Sequence, residues 1–282
     1  MKRENALALL IGAALCWSLG GVLIKWVDWN PMAIAGARSF IAAVVVWAVF
    51  PRMKFTWSFH QLAGAIAYAA TMITFVVATK MSTAANAVLL QYTAPAWVAL
   101  FSAWFLKEKI RRSDWATISL VLGGMVLFFM DKLSLAGFWG NMAAIASGFS
   151  FGWVFLLFRR QKEHGPYGSL FLGNVLAGLI CLPFMFQGSP DLKGIVGLTL
   201  LGVVQIGTAY CLYSIASRYV TAIDAALILL LEPLLNPVWT YLAMGEVPGP
   251  WAMFGGAIIL AAITFQAIIR QVKNESASLS TS

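Results

Sequence analysis

The sequence predicts an all-α integral membrane protein whose ten transmembrane helices form two five-helix repeats of inverted topology. Composition, the spacing of apolar segments and an internal repeat lead to this prediction. Of the 282 residues, 61% are hydrophobic and only 11% are charged, whereas about 25% of the residues in a soluble domain are charged. Because the mean hydropathy is +0.82, most of the surface must be in contact with lipid and a soluble fold is excluded.

Apolar segments of membrane-spanning length alternate with short charged or Pro/Gly-rich stretches. A helix needs about 20 apolar residues to cross the hydrocarbon core. Such segments lie near residues 5–27, 32–50, 60–79, 83–106, 114–130, 137–158, 166–186, 194–216, 221–244 and 250–270. The first begins with a basic head but is too long for a signal peptide and lacks a small-residue cleavage site, so we interpret it as a retained span.

The distribution of basic residues predicts the orientation. With the N-terminus in the cytoplasm, most of the 19 Lys and Arg residues fall in cytoplasmic loops. Four fall on the other side, namely Lys25, Lys80, Lys132 and Lys193. This asymmetry is typical of a multi-pass inner (plasma) membrane protein with both termini in the cytoplasm. It also accounts for the net charge of +8, so we expect no nucleic-acid partner.

An internal repeat divides the chain. "TAANAVLLQYTAPAW" from Thr83 aligns without a gap with "TAIDAALILLLEPLL" from Thr221, which pairs Pro95 with Pro233. The same alignment pairs Asn86 with Asp224 and Glu108 with Glu246, and "CWSLGG" matches "GFSFGW" more weakly. We therefore predict repeats at 1–134 and 135–270 and a disordered cytoplasmic tail at 271–282. Because five spans is an odd number, the repeats cross the membrane in opposite senses, and a binding site is expected between them near the midplane.

Glu232 is the acidic residue that the sequence places deepest in the membrane. It follows Thr221 by eleven residues, which is about 16 Å along a helix and therefore near the midplane of a ~30 Å core. A charge facing lipid at this depth would cost several kcal/mol, so the side chain should face protein or a wet cavity. A proton, a cationic group of a substrate and a neighbouring side chain all remain possible partners for this carboxyl group.

Prolines predict hinges in the fourth and ninth spans, at Pro95, Pro233 and Pro237. A proline has no backbone N–H, so the carbonyls of Gln91 and Leu229 lose their usual helical donors. At membrane depth such carbonyls require a polar side chain, water or a substrate. We expect both helices to bend at the wall of a cavity, although a packing bend without a ligand is equally compatible with the sequence.

The candidate substrate-binding residues are mainly aromatic, with a few hydroxyl and amide groups. They are Trp17, Ser18, Gln91, Tyr92, Thr93, Ser150, Gln205, Tyr210, Tyr213 and Glu232. Such a lining suits a neutral or zwitterionic amphipathic solute better than a polyanion. Arg38 is the basic residue placed deep in a span, and we expect it to bond to neighbouring helices.

Several other polar residues have structural interpretations. We expect Asp224 and Asn86 to cap helices and Lys25 to snorkel to the surface. Glu108 and Glu246 lie at helix ends, where solvation, pairing and gating all remain possible. The three cysteines, Cys16, Cys181 and Cys211, lie in apolar segments without metal-ligand spacing, so we predict no metal site, disulfide or cofactor.

Four motifs resemble the EamA family of the drug/metabolite transporter superfamily. They are "WSLGGVLIK" in the first span, "RSFIAA" in the second, "APAWVALFSAWFLKEK" in the fourth and "LEPLLNPVWTYLAMGE" in the ninth. The resemblance covers nearly the whole chain and implies a secondary transporter that works by alternating access, through a central cavity lined by spans 1, 3, 4, 6, 8 and 9. It does not imply a particular substrate, since similar members move amino acids, metabolites or drugs, often outward. We expect a small amphipathic metabolite, such as an amino acid, and export more than import.

Other functional classes fit less well. An enzyme would need clustered acids, a nucleophile with a base or metal ligands, and the two histidines, His60 and His164, lie in cytoplasmic loops or at helix ends. A channel would be expected to have a ring of like charges or a filter sequence, which is absent. The sequence leaves open a proton-coupled exporter of drugs or cationic metabolites, and either a monomer or a homodimer in the lipid bilayer.

Overall fold

The computed structural model describes residues 2–105, 112–127, 130–131, 135–161, 165–186, 191–216, 219, 228–229 and 231–279, and these contain helices and no strand. Thirteen α-helices are defined by their bounds: α1 Arg3–Ser18, α2 Gly20–Trp26, α3 Pro31–Val49, α4 Phe59–Met81, α5 Ala84–Gln91, α6 Ala94–Phe105, α7 Arg112–Leu127, α8 Leu135–Arg159, α9 Tyr167–Cys181, α10 Leu192–Leu200, α11 Ala209–Ala216, α12 Leu231–Met244 and α13 Pro250–Leu279. A 3-10 turn, Leu182–Phe184, follows α9, and a π-helical segment, Leu201–Thr208, joins α10 to α11.

Within the described residues, seven helical segments are long and apolar enough to cross a membrane. They are Glu4–Trp26, Pro31–Val49, Phe59–Met81, Ala84–Ser102, Leu135–Arg159, Tyr167–Phe184 and Leu192–Ala216. Two shorter apolar helices, Trp115–Leu127 and Pro250–Phe265, coincide with the predicted fifth and tenth spans. The chain is therefore an all-helical, multi-pass membrane protein. Its last helix continues to Leu279, so residues 271–279 are helical where the sequence suggested a disordered tail.

The predicted bend in the fourth span is a complete break between α5 and α6. Pro95 withdraws its N–H from the carbonyl of Gln91, and the chain turns at Tyr92 and Thr93 before α6 begins. The Gln91 carbonyl lies against Gly148 of α8, where a Cβ atom would come within 3.1 Å of it. In the fourth span, the carbonyl that Pro95 leaves without a helical donor is therefore packed against a neighbouring helix.

Two further irregularities lie in the first and eighth spans. The first span is interrupted at Leu19, between α1 and α2. In the eighth span the π-helical segment packs on α3, and two of its glycines, Gly202 and Gly207, contact Ile41 and Val45 closely. Wide π turns inside α-helices are frequent at functional sites.

Helices from the two predicted repeats pack extensively against each other. α4 packs on α8 and α9, and α3 packs on α9 and the π-helical segment. α1 packs on α11 and α12, while α12 also contacts α2 and α5. The breaks in the first and fourth spans consequently both face α12, which carries Glu232.

Candidate functional site

A hydrogen-bonded cluster joins the break of the fourth span to the start of α12. The hydroxyl group of Tyr92 lies 2.7 Å from the carbonyl oxygen of Leu229 and 3.0 Å from Oε2 of Glu232. The Leu229 carbonyl is the one that Pro233 leaves without a helical donor. The structure therefore supplies the polar partner that the sequence predicts for this carbonyl, and Tyr92, from the other repeat, is that partner.

The Tyr92 hydroxyl has one hydrogen and two acceptors within reach. A carbonyl oxygen can only accept, and an ionised carboxylate can only accept as well. While Glu232 is ionised, Tyr92 can therefore donate fully to only one of them. When Glu232 is protonated, the carboxyl group donates to Tyr92 and Tyr92 donates to Leu229, so all three groups are satisfied. The geometry thus makes the contact between the two repeats sensitive to the proton on Glu232.

An aromatic group lies beside this cluster. Trp17 of α1 packs against Tyr210 and Tyr213 of α11, with ring centroids 4.9 Å and 5.6 Å apart. Tyr210 also makes an edge contact with Tyr68 of α4 at 5.2 Å. Three of the predicted lining residues therefore form one aromatic wall. Tyr68, which the sequence pattern did not indicate, adds a fourth ring.

The polar groups of four other predicted lining residues form hydrogen bonds to other groups of the protein. The Ser18 hydroxyl is fully buried, donates to the Leu15 carbonyl and accepts from Nε1 of Trp239. Gln91 donates from Nε2 to Ser147 of α8. The Thr93 hydroxyl donates to the Leu90 carbonyl at 2.7 Å and the Ser150 hydroxyl to the Ala146 carbonyl at 2.8 Å. In this conformation Gln91 and Thr93 are buried in helix packing.

Gln205 is held by Arg38. The guanidinium of Arg38, only 1% exposed, donates to Oε1 of Gln205 at 3.1 Å and to the Met72 carbonyl at 3.1 Å. It therefore bonds to neighbouring helices, as the sequence suggested. Because a guanidinium only donates, it fixes the amide orientation of Gln205 with the oxygen toward Arg38. Gln205 lies within the π-helical segment.

An ion pair closes the end of the helix bundle at which α2 and α12 terminate. Nζ of Lys25 lies 3.0 Å from Oε2 of Glu246 and donates to the Ser82 carbonyl at 2.6 Å. The other carboxylate oxygen of Glu246 accepts from the backbone N–H of Ala84, at the N-terminus of α5. Lys25 therefore does not snorkel to the surface as the sequence suggested, because a carboxylate and a carbonyl at the same depth bind its ammonium group.

A glycine at the end of α12 and a cap at the start of α5 position the residues around this ion pair. Gly245 ends α12 with a φ of +66°, a conformation that favours glycine, and it turns the chain so that Glu246 reaches α5. Thr83 caps α5 by accepting from the Asn86 N–H. The Asn86 side chain instead donates to Asn141 of α8, so its predicted capping role is wrong. The corresponding prediction for Asp224, like the position of Glu108, lies outside the described residues.

A second, exposed ion pair lies at the same end of the bundle. Lys193 donates to Asp28 at 2.7 Å, and this hydrogen bond with its charge holds the pKa of Asp28 below the ordinary value. Nε1 of Trp29 donates to Asp191, whose pKa is lowered in the same way. The pair of Lys193 with Asp28 is open to solvent, whereas Lys25 and Glu246 are each about four-fifths buried.

Asn236 is a polar residue near the site that the sequence pattern did not single out. It lies one helical turn beyond Glu232 on α12, is 0% exposed, and neither its Oδ1 nor its Nδ2 has a hydrogen-bond partner among the described residues. Its side chain lies over Gly21, where a Cβ atom would come 2.3 Å from Oδ1. The four-residue spacing from Glu232 was a visible signal, since both side chains lie on one helix face.

The fold and site define a class: a multi-pass helical membrane protein with a polar, partly buried cluster between two interleaved sets of helices, which is the arrangement of a membrane transporter. The chain belongs to the EamA-like transporter family, whose pattern matches residues 5–130 and again residues 138–267. The resemblance found in the sequence is therefore confirmed.

Several transporters are similar to this chain. An uncharacterized transporter of Archaeoglobus fulgidus is 29% identical over 68% of this chain and 70% of its own length. The pseudopaline exporter CntI of Pseudomonas aeruginosa is 26% identical over 63% of this chain and 64% of its own length. The uncharacterized inner membrane transporter YicL of Salmonella typhimurium is 25% identical over 61% and 60%, respectively. The chain thus spans 60% to 70% of the length of these curated relatives.

A solved structure shows the same fold. This crystal structure of a protein aligns with 95% of the chain and 98% of its own length, with a TM-score of 0.66 and 20% sequence identity. At this identity the likeness concerns the fold alone.

Proposed function

We propose that the protein is a secondary carrier that moves small amphipathic metabolites, such as amino acids or related compounds, across the inner membrane by alternating access. In this proposal ten helices form two inverted five-helix repeats, at 1–134 and 135–270, with both termini in the cytoplasm. The observation that supports it is the hydrogen bond of Tyr92 with Glu232, which joins the two repeats through a carboxyl group. The ligand is a small molecule, and the carrier is either a monomer or a homodimer.

Export is the proposed direction. One relative is named an exporter. If both termini are cytoplasmic, as the distribution of basic residues predicts, the end closed by Lys25 and Glu246 faces the outside of the cell. A carrier closed at its outer end exposes its site to the cytoplasm, which is where an exporter must load. The aromatic wall of Trp17, Tyr210 and Tyr213 suits an amphipathic solute.

Proton coupling is the second candidate, as an exporter of drugs or cationic metabolites, and the single hydrogen of Tyr92 favours it. A protonated Glu232 satisfies both Tyr92 and Leu229, whereas an ionised Glu232 competes with the carbonyl and can bind a cation instead. A proton and a cationic substrate would then compete for the same carboxyl group. Such competition is sufficient for the carrier to exchange one for the other across the membrane.

The test uses purified protein in liposomes. A thermal-shift screen against amino acids, nucleosides and cationic drugs identifies a ligand, because a compound that binds only the folded state raises the melting temperature. With that compound, we expect Glu232→Gln to abolish acceleration by a pH gradient and to leave folding intact. The matched control is Glu4→Gln, which makes the same chemical change at an exposed position of α1. An unchanged rate and pH profile for Glu232→Gln would remove Glu232 from the coupling mechanism.

A further inference from the structure

The closed end of the bundle consists of three layers along α12. The outermost layer is the ion pair of Lys25 with Glu246. Beneath it, Gly21 of α2, Ala84 of α5 and Asn236 of α12 meet so closely that a Cβ atom on Gly21 would lie 2.3 Å from Oδ1 of Asn236 and 2.8 Å from Cβ of Ala84. Glu232 lies one turn further along α12. The ion pair therefore covers a tightly packed contact, which in turn covers the candidate site.

The middle layer contains an unfavourable feature. Asn236 is fully buried with neither amide atom paired among the described residues, and a buried polar group without a partner costs free energy that water or a ligand would restore. Because Gly21 of α2 lies directly on the amide, and Ala84 of α5 also packs on Gly21, the amide can gain partners only if α2 moves away from α12. Burial of Asn236 thus opposes the closed arrangement that the ion pair favours.

We propose that Lys25 and Glu246 form a gate, and that Asn236 is a second polar position of the transport pathway, hidden in this conformation and exposed when the gate opens. Its amide offers an acceptor and two donors, so it would take a neutral hydrogen-bonding group of the solute, such as a hydroxyl or an amide, or its water. The inference rests on the proposed carrier function and extends it by a state-dependent site between Glu232 and the exterior.

The charges support a gate that opens reversibly. The side chains of Lys25 and Glu246 are 20% and 19% exposed, so water can solvate both charges once they separate. Glu246 is attached through Gly245, which ends α12, and the residues after it are irregular up to α13. The carboxylate can therefore leave Lys25 and α5 without unwinding a helix.

Accessibility to a thiol reagent tests the gate. In a background with Cys16, Cys181 and Cys211 replaced by serine, Asn236→Cys is exposed to a membrane-impermeant maleimide applied from outside. We expect slow labelling with the gate intact, and labelling faster on the order of tenfold with Lys25→Met or Glu246→Gln, since one lost charged hydrogen bond shifts the population by about that factor. Asp28→Asn is the control, because it removes the exposed ion pair at the same end and should leave the rate unchanged.

If Asn236→Cys fails to fold, Ala84→Cys provides a second reporter, because it makes only a small change beside Gly21. With this reporter we expect Asn236→Leu to slow labelling on the order of tenfold, since the apolar side chain has no unpaired group to oppose closure. Equal labelling with and without the ion pair would overturn the gate, and no effect of Asn236→Leu would overturn the role of Asn236. Labelling does not depend on proton coupling, so a failure of the Glu232 proposal gives a separate result.

Discussion

At the scale of single residues, Tyr92 links the two repeats, because its one hydroxyl group lies within hydrogen-bond distance of the Leu229 carbonyl and of the Glu232 carboxyl group. The sequence made both Tyr92 and Glu232 candidate binding residues and left a neighbouring side chain as one possible partner of the carboxyl group. It could not choose among the three possible partners, because periodicity gives depth and face but not which helix lies opposite.

We expect Tyr92→Phe to lower both stability and transport. The aromatic ring remains, but the Leu229 carbonyl loses its donor, which should cost about 1–3 kcal/mol for a buried acceptor left unpaired. Glu232 loses the same partner, so the pH dependence of transport should shift while substrate affinity changes less. Tyr241→Phe, which removes a hydroxyl from an exposed tyrosine of α12, is the control for thermal unfolding and for liposome flux. Identical pH profiles for Tyr92→Phe and wild type would contradict the shared hydrogen.

Arg38 makes a second prediction at this scale. Its guanidinium bonds to Gln205 and to the Met72 carbonyl from a fully buried position. A lysine in its place has a single ammonium group and lacks the planar fork. We expect Arg38→Lys to lower the melting temperature and to weaken ligand binding through a misplaced Gln205. Arg38→Lys combined with Gln205→Glu should restore part of the stability, and a melting temperature equal to wild type for Arg38→Lys alone would exclude this positioning role.

At the scale of helices, the proline-induced break in the fourth span could be predicted and the π-helical segment could not. Pro95 removes a specific hydrogen bond, a property of one residue that the sequence displays. The π-helical segment contains no proline, and its wider turn coincides with the close packing of Gly202 and Gly207 on α3. Such a change depends on a helix far away in the sequence, so no local pattern indicates it. The same reason explains why Lys25 and Glu246 were each noticed but not paired.

Helices α2, α5 and α12 meet at Gly21, and this close contact leads to a prediction about helix packing. An alanine there would place Cβ 2.3 Å from Asn236, and overpacking of this kind costs about 1–3 kcal/mol. We expect Gly21→Ala to lower the melting temperature and to favour separation of α2 from α12. Gly123→Ala in α7 is the matched control, since its Cβ would meet nothing within 4 Å, and a helix gains up to about 1 kcal/mol from this change. Equal effects of the two substitutions would show that Gly21 is not a packing contact.

At the scale of the whole molecule, the packing between the two repeats fits the carrier that we propose. Several helices of the first predicted repeat contact helices of the second, and the candidate site lies between a closed end and the broken spans. A carrier must reorient this whole assembly for every molecule that it moves, and a bound substrate on the far side accelerates the return. A channel needs no return step.

The final prediction therefore concerns exchange. With the compound identified by thermal shift, uptake of labelled compound into liposomes should be faster when unlabelled compound is already inside, because the loaded carrier returns faster than the empty one. Cross-linking Lys25→Cys to Glu246→Cys with a short bifunctional reagent should abolish exchange and net flux together, since the gate cannot open, and cleaving the linker should restore both. Asp28→Cys with Lys193→Cys is the control at the same end, where the same reagent joins an exposed pair. Flux that saturates without acceleration by internal compound would identify a channel and exclude alternating access.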